Sequence, residues 1–321
     1  MIITRTPFRI SLFGGGTDFP SYYRYHEGCV LSMSIDKYMY IVLHPTFDKK
    51  TIIKYNKTEI VDLIEDIQHP IARQVLLNHN IKGVEVTSMA DVLSGTGLST
   101  SSAYTVGLIN ALYNYKGHQP SKSLIAAEAC SVEINQLGEP IGKQDQYGTA
   151  VGGLKMIRFL KDGHVIITPI PLANMQEDFE KRFVLFYTGT THSSSDILTE
   201  QKSNISQSTE ILSKMAFLTN EAYCLIQKYQ LDTLGYLLNE TWNLKKQLAS
   251  KITNPIIDEY YETGLRNGAL GGKLLGAGGG GFLLFYCPVE NQPRLRQALS
   301  NLIELPFSID TEGTKLIYKG V

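Results

Sequence analysis

GTGLSTSSA, residues 95–103, is a run of small and hydroxyl-bearing residues directly before a segment with the apolar pattern of a helix. Five of its nine residues are Ser or Thr and two are Gly, whereas an ordinary helix cap needs only one such residue. Glycine lets the backbone approach an anion closely, and the free N–H groups and dipole of a helix start favour negative charge. The stretch therefore predicts a phosphate-binding loop made of Gly95, Thr96, Gly97, Leu98, Ser99, Thr100, Ser101 and Ser102.

Two other glycine-containing segments do not fit the standard nucleotide-binding motifs. Residues 276–281 read GAGGGG and satisfy G-x-G-x-x-G, but the FLLFY that follows has the pattern of a strand, which excludes a dinucleotide-binding turn. Residues 138–143 have the wrong spacing for a Walker A loop and continue with Gln144. Since two residues suffice to close a hairpin, the run at 276–281 predicts close approach of a ligand or of another loop.

A third segment places a carboxylate beside a lysine. Residues 142–147 read GKQDQY after a Gly-Glu-Pro turn, and Glu133 precedes them near the end of a predicted helix. Phosphoryl transfer to an alcohol requires an acceptor for the hydroxyl proton and positive charge near the transferred group. Asp145 and Lys143 could supply these, although such residues in a loop are more often solvated surface charges.

Composition excludes several classes of protein. The 321 residues include 30 Lys plus Arg and 31 Asp plus Glu, for a net charge of -1, which argues against the broad basic surface of a nucleic-acid-binding protein. The four cysteines are far apart and form no CxxC pair, so neither a zinc site nor a disulfide framework is predicted. No stretch approaches the roughly 18 apolar residues of a membrane span, and no signal-like N-terminus is present. We expect a cytoplasmic protein.

Hydrophobic periodicity predicts two α+β domains, residues 1–172 and 173–321. In the first, strands are predicted at 2–13, 29–44, 52–55, 84–87 and within 153–169, and amphipathic helices at 101–115 and 120–137. In the second, a strand at 182–187 is followed by helices at 195–229, 231–250 and 255–267. A strand, glycine-rich turn, strand, helix and strand are predicted from 270 to 318.

In this order, the motifs resemble those of the GHMP kinases, the superfamily of galactokinase, homoserine kinase, mevalonate kinase and phosphomevalonate kinase. TPFRISLFG at 6–14 is similar to the family's first motif, 95–103 to its phosphate loop and 273–285 to its glycine-rich third motif. The resemblance covers nearly the whole chain. It implies the two-domain GHMP kinase fold, with an N-terminal domain like domain 2 of ribosomal protein S5 and a ferredoxin-like C-terminal domain, and it implies ATP-dependent phosphorylation of a small molecule.

By position, the resemblance implies roles for individual residues. Asp145 matches the catalytic carboxylate, and Arg9 matches a basic residue near the transferred phosphate. Ser101 and Glu133 match ligands of Mg²⁺, which together with ATP is the implied cofactor. Lys143 and Arg9 are our candidates for binding a phosphate on the substrate. The residues predicted to contact the substrate are Gly15, Gly16, Thr17, Asp18, Lys143, Gly278 and Gly279.

Within the superfamily, GGGTDFP at 14–20 and GEPIGKQDQY at 138–147 look most like the bacterial D-glycero-D-manno-heptose 7-phosphate kinases. Galactokinases place Glu and His where Gly15 and Gly16 stand. The resemblance implies phosphorylation of the anomeric hydroxyl of a sugar phosphate, for activated heptose and surface polysaccharide. The chain departs from this pattern at Ser99 and Thr100, where Gly and Ser are usual, and at His192, where we expect a basic residue.

Two alternatives stay open at this point. The first is a GHMP kinase for another acceptor, such as fucose or galactose, because residues outside the motifs select the substrate. The second is a sensor that binds ATP and sugar without transferring phosphate. Asp145, Glu133 and Ser101 are all present, which speaks against the sensor, and turnover of ATP with any sugar would eliminate it.

Overall fold

The longest strand pair organises the first part of the protein. In the computed structural model, which describes residues 1–190 and 194–320, β1 (Ile2–Phe13) runs antiparallel to β2 (Gly28–Pro45). The strand register shifts between Pro7 and Phe8, since proline has no N–H to donate to the ladder. Beyond this shift, the Arg9 amide donates to the carbonyl of Leu98 at 3.3 Å, so β1 holds the predicted phosphate loop against its edge.

Eight strands form the N-terminal sheet around this pair. The others are β3 (Thr51–Lys54), β4 (Thr58–Val61), β5 (Val84–Ala90), β6 (Leu154–Phe159), β7 (Val165–Pro169) and β12 (Lys315–Lys319). The strand order is β12-β1-β2-β5-β3-β4, and β6 pairs with β2 and β7. β2 is long enough to pair with β6 through its first half and with β5 through its second.

The helices of this region pack against the sheet and against one another. They are α1 (Pro20–His26), α2 (Pro70–His79), α3 (Thr100–Tyr115), α4 (Lys122–Cys130) and α5 (Gln144–Ala150). α3 is buried on nearly every face, because β1 and β2 cover one side and the other helices cover the rest. It therefore lacks the solvent-facing stripe of the amphipathic helix that the sequence predicted. α4 continues into one π-helical turn, Ser131–Gln136.

The second sheet has the topology expected of a ferredoxin-like domain. Its strands are β8 (Phe183–Tyr187), β9 (Gly271–Leu274), β10 (Phe282–Tyr286) and β11 (Ile303–Glu304), in the antiparallel order β11-β8-β10-β9. Its helices are α6 (Gln176–Lys181), α7 (Ser194–Ser203), α8 (Thr209–Gln227), α9 (Leu231–Lys245), α10 (Pro255–Arg266) and α11 (Gln292–Ala298). The predicted two-domain GHMP kinase fold is confirmed.

Some boundaries differ from the sequence prediction. The single helix predicted over 195–229 is two helices, α7 and α8, and the short helices α1, α2 and α5 were missed because each spans at most ten residues. The last strand, β12, pairs with β1 in the N-terminal sheet although it lies within the predicted second domain, 173–321. The boundary at 172 itself stays a prediction.

Two general expectations can be compared with the fold. All four cysteines are free thiols, and Cys29, Cys130 and Cys287 are buried. Among residues 1–190 and 194–320, no helix combines the length and apolarity needed to cross a membrane.

Lys155 in β6 is a fully buried lysine whose ammonium donates to the Ser34 hydroxyl and the Gly153 carbonyl. Burial lowers its pKa from 10.5 to about 7. The folded protein thus releases this proton near pH 7, whereas the unfolded chain holds it to about pH 10.5. The destabilisation caused by burying the charge has its full size below pH 7 and disappears as the pH approaches 10.5.

We therefore expect that the free energy of unfolding of the wild type, measured relative to Lys155→Met, rises as the pH increases from 7 to 10. Urea titrations of both proteins at several pH values measure this difference. Lys161→Met, which removes an exposed lysine from the turn between β6 and β7, is the control and should show no such trend. A Lys155→Met difference that stays constant over this range would contradict the expectation.

Candidate active site

The predicted phosphate loop lies between β1 and the second sheet. Its Thr96 carbonyl accepts a hydrogen bond from the Phe282 amide of β10 at 3.2 Å, and its Leu98 carbonyl accepts one from the Arg9 amide at 3.3 Å. Thr96 and Leu98 are themselves buried, at 1% and 0% exposure. These two residues fix the loop to both sheets, which leaves the residues between and after them to face solvent or a ligand.

The glycine-rich run approaches the phosphate loop backbone to backbone. A Cβ on Gly276 would lie 2.5 Å from the Gly97 Cα, and a Cβ on Gly97 would lie 2.4 Å from the Leu275 carbonyl oxygen. A Cβ on Gly281 would lie 2.4 Å from the Thr96 carbonyl oxygen. Since no side chain fits at these contacts, the glycines of both motifs are needed for the two domains to meet here.

A cavity, which we call the loop cavity, opens along the phosphate loop. Of the loop, it is lined by Gly95, Gly97, Ser99, Thr100, Ser101 and Ser102. Glu133, Arg9, Asp145, Gly278 and Gly280 also line it. The structure thus brings the predicted loop and both predicted magnesium ligands to one cavity, while Thr96 and Leu98 hold the loop from behind.

Arg9 and Asp145 form an ion pair although they are 136 residues apart in the chain. The Arg9 Nε and Nη2 both donate to the Asp145 Oδ1, at 2.9 and 2.7 Å, and Nη1 donates to the Gly97 carbonyl at 2.9 Å. The Arg9 side chain is 3% exposed, but the Asp145 side chain is 24% exposed. Arg9 therefore fixes one oxygen of Asp145 and connects it to the phosphate loop, while the other oxygen accepts no hydrogen bond from the described residues.

Glu133 lies in the π-helical turn and is 1% exposed. Its carboxylate accepts hydrogen bonds from the Ser102 and Thr105 hydroxyls and from the side-chain amide of Gln146. Burial raises the pKa of Glu133 to about 7, although the three hydrogen bonds oppose the shift. A cation bound beside this carboxylate would offset the energetic cost of burying its charge.

A second cavity, the inner cavity, meets the loop cavity at Arg9, Asp145 and Gly276. Its other lining residues include Ser11, Gly15, Gly16, Asp18, Gln144, Lys245 and Lys273. Asp18 is almost fully buried and accepts hydrogen bonds from the amides of Gly16 and Gln144. Burial raises the pKa of Asp18 to about 6, and the nearby Asp145 charge adds to this shift. The inner cavity thus combines charged groups with two glycines, Gly15 and Gly16.

Four residues predicted to contact the substrate do not line the inner cavity. The Lys143 ammonium donates to the Gly163 carbonyl in the turn after β6, because the chain enters α5 with Gln144 and Asp145, rather than Lys143, facing the cavities. The Thr17 hydroxyl donates to backbone carbonyls and is fully buried. Gly278 lines the loop cavity, and the Gly279 amide donates to Ile252. His192 lies outside the described residues.

Lys245 and Lys273 are the site residues that sequence reasoning missed. Lys273 belongs to the third motif, but its own side chain was not considered, and Lys245 is the last residue of a helix far from any motif. Both are nearly fully buried. An isolated lysine at a helix end is normally a solvated charge, so no local signal distinguishes Lys245.

Ser99 occupies a strained position at the start of α3. It has left-handed backbone angles, φ 63° and ψ 41°, and its buried hydroxyl has no hydrogen-bond partner within the described residues. We expect Ser99→Gly to stabilise the protein by about 1 kcal/mol, because glycine adopts this conformation without the side-chain clash. Urea unfolding measures the change. Thr100→Gly is the control, since Thr100 begins the regular helix and its replacement should destabilise. A less stable Ser99→Gly protein would contradict this expectation.

Fold and site together define a class of protein. A phosphate-binding loop at a helix start, a carboxylate held by an arginine, and a second cavity on the other side of that pair are the arrangement of a small-molecule phosphotransferase. The family profile "GHMP kinases N terminal domain" matches residues 62–153, and "GHMP kinases C terminal" matches residues 225–305. The chain belongs to the GHMP kinase family of ATP-dependent phosphotransferases.

Individual relatives cover most of the chain. D-glycero-alpha-D-manno-heptose 7-phosphate kinase of Campylobacter jejuni is 29% identical over 98% of both chains. L-fucokinase/L-fucose-1-P guanylyltransferase of Bacteroides fragilis is 29% identical over 87% of this chain but only 34% of its own length. The crystal structure of a D-glycero-D-manno-heptose 1-phosphate kinase from Bacteroides thetaiotaomicron superposes with a TM-score of 0.83 at 21% identity, covering 100% of both chains. This last similarity is one of fold.

Proposed function

We propose that this protein transfers the terminal phosphoryl group of ATP to the anomeric hydroxyl of a sugar phosphate, D-glycero-D-manno-heptose 7-phosphate. The observation that carries the proposal is the Arg9–Asp145 pair at the junction of the loop cavity and the inner cavity. A nucleotide in the loop cavity and an acceptor in the inner cavity would meet at this pair. The similarity to the Campylobacter kinase supports the choice of acceptor.

In this mechanism, Asp145 accepts the proton of the acceptor hydroxyl as the new O–P bond forms and the bond from the γ-phosphorus to ADP breaks. Asp145 lines both cavities, and Arg9 holds one of its carboxylate oxygens through two hydrogen bonds. Arg9 also links Asp145 to the Gly97 carbonyl, so the base and the phosphate loop keep a fixed separation. This positioning supplies much of the rate enhancement of an enzyme that forms no covalent intermediate.

Ser101 and Glu133 fit the binding of Mg²⁺ in the loop cavity. Both present oxygen ligands, and Mg²⁺ is commonly held by one or two carboxylates together with the phosphates of the substrate. When bound, the ion would neutralise charge on the β- and γ-phosphates.

A third cavity continues from the phosphate loop and suits the base of the nucleotide. It shares Ser94, Thr100 and Ser101 with the loop cavity. In its wall, the His69 ring stacks on Tyr104 with centroids 4.7 Å apart, and the buried Tyr104 hydroxyl has no partner among residues 1–190 and 194–320. Flat aromatic rings and an unused hydroxyl beside a phosphate loop are suited to a purine.

The glycines of the GGGTDFP segment favour an acceptor sugar longer than a hexose. Gly15 and Gly16 line the inner cavity without side chains. A Cβ on Gly16 would lie 2.6 Å from the Gln201 Nε2 and 3.1 Å from Leu212, and φ at Gly16 is +104°. A side chain at Gly16 would strain the backbone and displace the Gln201 side chain, whereas a Cβ on Gly15 would make ordinary contacts with Gln144 and Ser11, at 3.5 and 3.6 Å. The space next to Asp145 remains available to the acceptor.

The test is ATP consumption by the purified protein with Mg²⁺ and a panel of acceptors: D-glycero-D-manno-heptose 7-phosphate, fucose, galactose, mannose and mevalonate. We expect turnover with the heptose phosphate at a kcat/KM at least about tenfold above that of the other acceptors. Preference for fucose would favour the second candidate, which the similarity to the Bacteroides fragilis fucokinase supports. ATP and sugar binding without turnover would favour a sensor.

A further inference from the structure

Two buried lysines face the inner cavity from the second domain. Lys245 ends α9 and Lys273 lies in β9, and they are 6% and 2% exposed. The Lys245 ammonium donates to the carbonyls of Leu274 and Gly276. The Lys273 ammonium donates to two carbonyls of β1, at 2.8 and 3.1 Å. Since a lysine ammonium has three N–H groups, each keeps one that no protein group accepts through these contacts.

The positive charge of these lysines is only partly balanced, because Asp145 and Asp18 act on Lys245 without forming an ion pair with it, and Lys273 is influenced only by other cations. Within residues 1–190 and 194–320, neither ammonium forms an ion pair with a carboxylate, whereas Arg9 is paired with Asp145. Asp18, the other carboxylate in the cavity, accepts hydrogen bonds from two backbone amides. Burial lowers the pKa of Lys245 to about 8 and that of Lys273 well below its ordinary value, and the Arg9 charge adds to both shifts.

Burying unpaired ammonium groups destabilises a fold, and titratable groups with strongly perturbed pKa values cluster at functional sites. The two lysines line the inner cavity but not the loop cavity, where the phosphate loop and Glu133 lie. They are therefore on the acceptor side of the Arg9–Asp145 pair. A neutral hydroxyl could accept hydrogen bonds from their free N–H groups but would leave their positive charge uncompensated. A phosphate both accepts the hydrogen bonds and compensates the charge.

We propose that Lys245 and Lys273 bind a phosphate that the acceptor already carries, so that the inner cavity selects phosphorylated sugars over the corresponding neutral sugars. This inference rests on the proposed kinase function and identifies specificity residues for it. Lys143, which the sequence suggested for this role, does not line the inner cavity, and its ammonium donates to the Gly163 carbonyl. The inner cavity thereby receives its phosphate-binding groups from the second domain and its base from the first.

Lys245→Met tests the inference because methionine has a similar length but neither charge nor donors. We expect kcat/KM for D-glycero-D-manno-heptose 7-phosphate to fall about 30-fold, the effect of losing a charge-assisted hydrogen bond. For the unphosphorylated D-glycero-D-manno-heptose it should stay within about twofold, since no phosphate contact is lost. Lys246→Met is the control, because this half-buried neighbour lies over the Trp242 ring and does not line the cavity.

The outcomes separate the possible roles of Lys245. An equal loss with both acceptors would assign Lys245 to the transferred phosphoryl group and overturn the inference. A wild-type protein that prefers the neutral heptose would also overturn it, while leaving the kinase function intact. That comparison uses only the wild type, so it does not depend on the folding of Lys245→Met. Circular dichroism and ATP binding would establish whether the variant folds. A wild type that turns over no acceptor would instead overturn the proposed function.

Discussion

Replacing Asp145 with Asn is expected to lower kcat about 1,000-fold while ATP binding stays within a few-fold of the wild type. Asparagine keeps the shape of the side chain and an oxygen that Arg9 can still contact, but it cannot take the proton of the acceptor hydroxyl. The phosphate loop is held by backbone hydrogen bonds from Arg9 and Phe282, which the substitution leaves in place. Steady-state kinetics with D-glycero-D-manno-heptose 7-phosphate and calorimetric titration with ATP measure the two effects.

Asp162→Asn is the matched control for this experiment. Asp162 is an exposed aspartate in the turn between β6 and β7, where it contacts His164 outside the cavities. The same chemical change there should leave kcat unaltered. A near-normal kcat for Asp145→Asn would show that another group removes the proton, and the mechanism proposed above would be wrong. A loss of folding would be visible as a lower unfolding midpoint, which separates it from a loss of chemistry.

Replacing Gly97 with Ala should weaken ATP binding more than tenfold and destabilise the protein by about 3 kcal/mol. Gly97 has φ +86°, and its new Cβ would lie 2.4 Å from the Leu275 carbonyl oxygen. The backbone strain accounts for about 1–2 kcal/mol, and the overlap must also separate the phosphate loop from β9. The Gly97 carbonyl would then move away from the Arg9 guanidinium, which donates a hydrogen bond to it.

The variant Gly117→Ala separates the effect of backbone strain at a positive φ from the effect of steric overlap. Gly117 has a similar φ of +80°, yet a Cβ there would have no atom within 4 Å, and the residue lies just after α3. The control should therefore show the cost of strain without the loss of ATP binding. Urea unfolding and ATP titration of the two variants provide the comparison. If Gly97→Ala bound ATP as well as Gly117→Ala does, the contact between the two glycine-containing motifs would not be needed for nucleotide binding.

The sequence by itself determined the class of fold and the local parts of the site. Short-range chemistry is sufficient for these, since a run of glycine and hydroxyl residues before a helix start favours phosphate binding through local backbone geometry alone. Periodicity likewise gave β1, β2 and the helices α3, α9 and α10 to within a few residues. The helices that it missed are short, and α3 was predicted as amphipathic because a single sequence does not reveal that a sheet and other helices will cover all its faces.

Only the tertiary structure decided which charges meet. Arg9 pairs with Asp145 across 136 positions, and Lys273 contacts the carbonyl of Ser11 across 262. These contacts depend on how β1, α5 and β9 come together, and no local pattern encodes that geometry. The same is true of Lys143, just before the start of α5, and of Lys245, at the end of α9. The direction of the backbone at the start of α5 turns Lys143 away from the inner cavity. Packing of α9 against the second sheet buries Lys245 in the wall of that cavity.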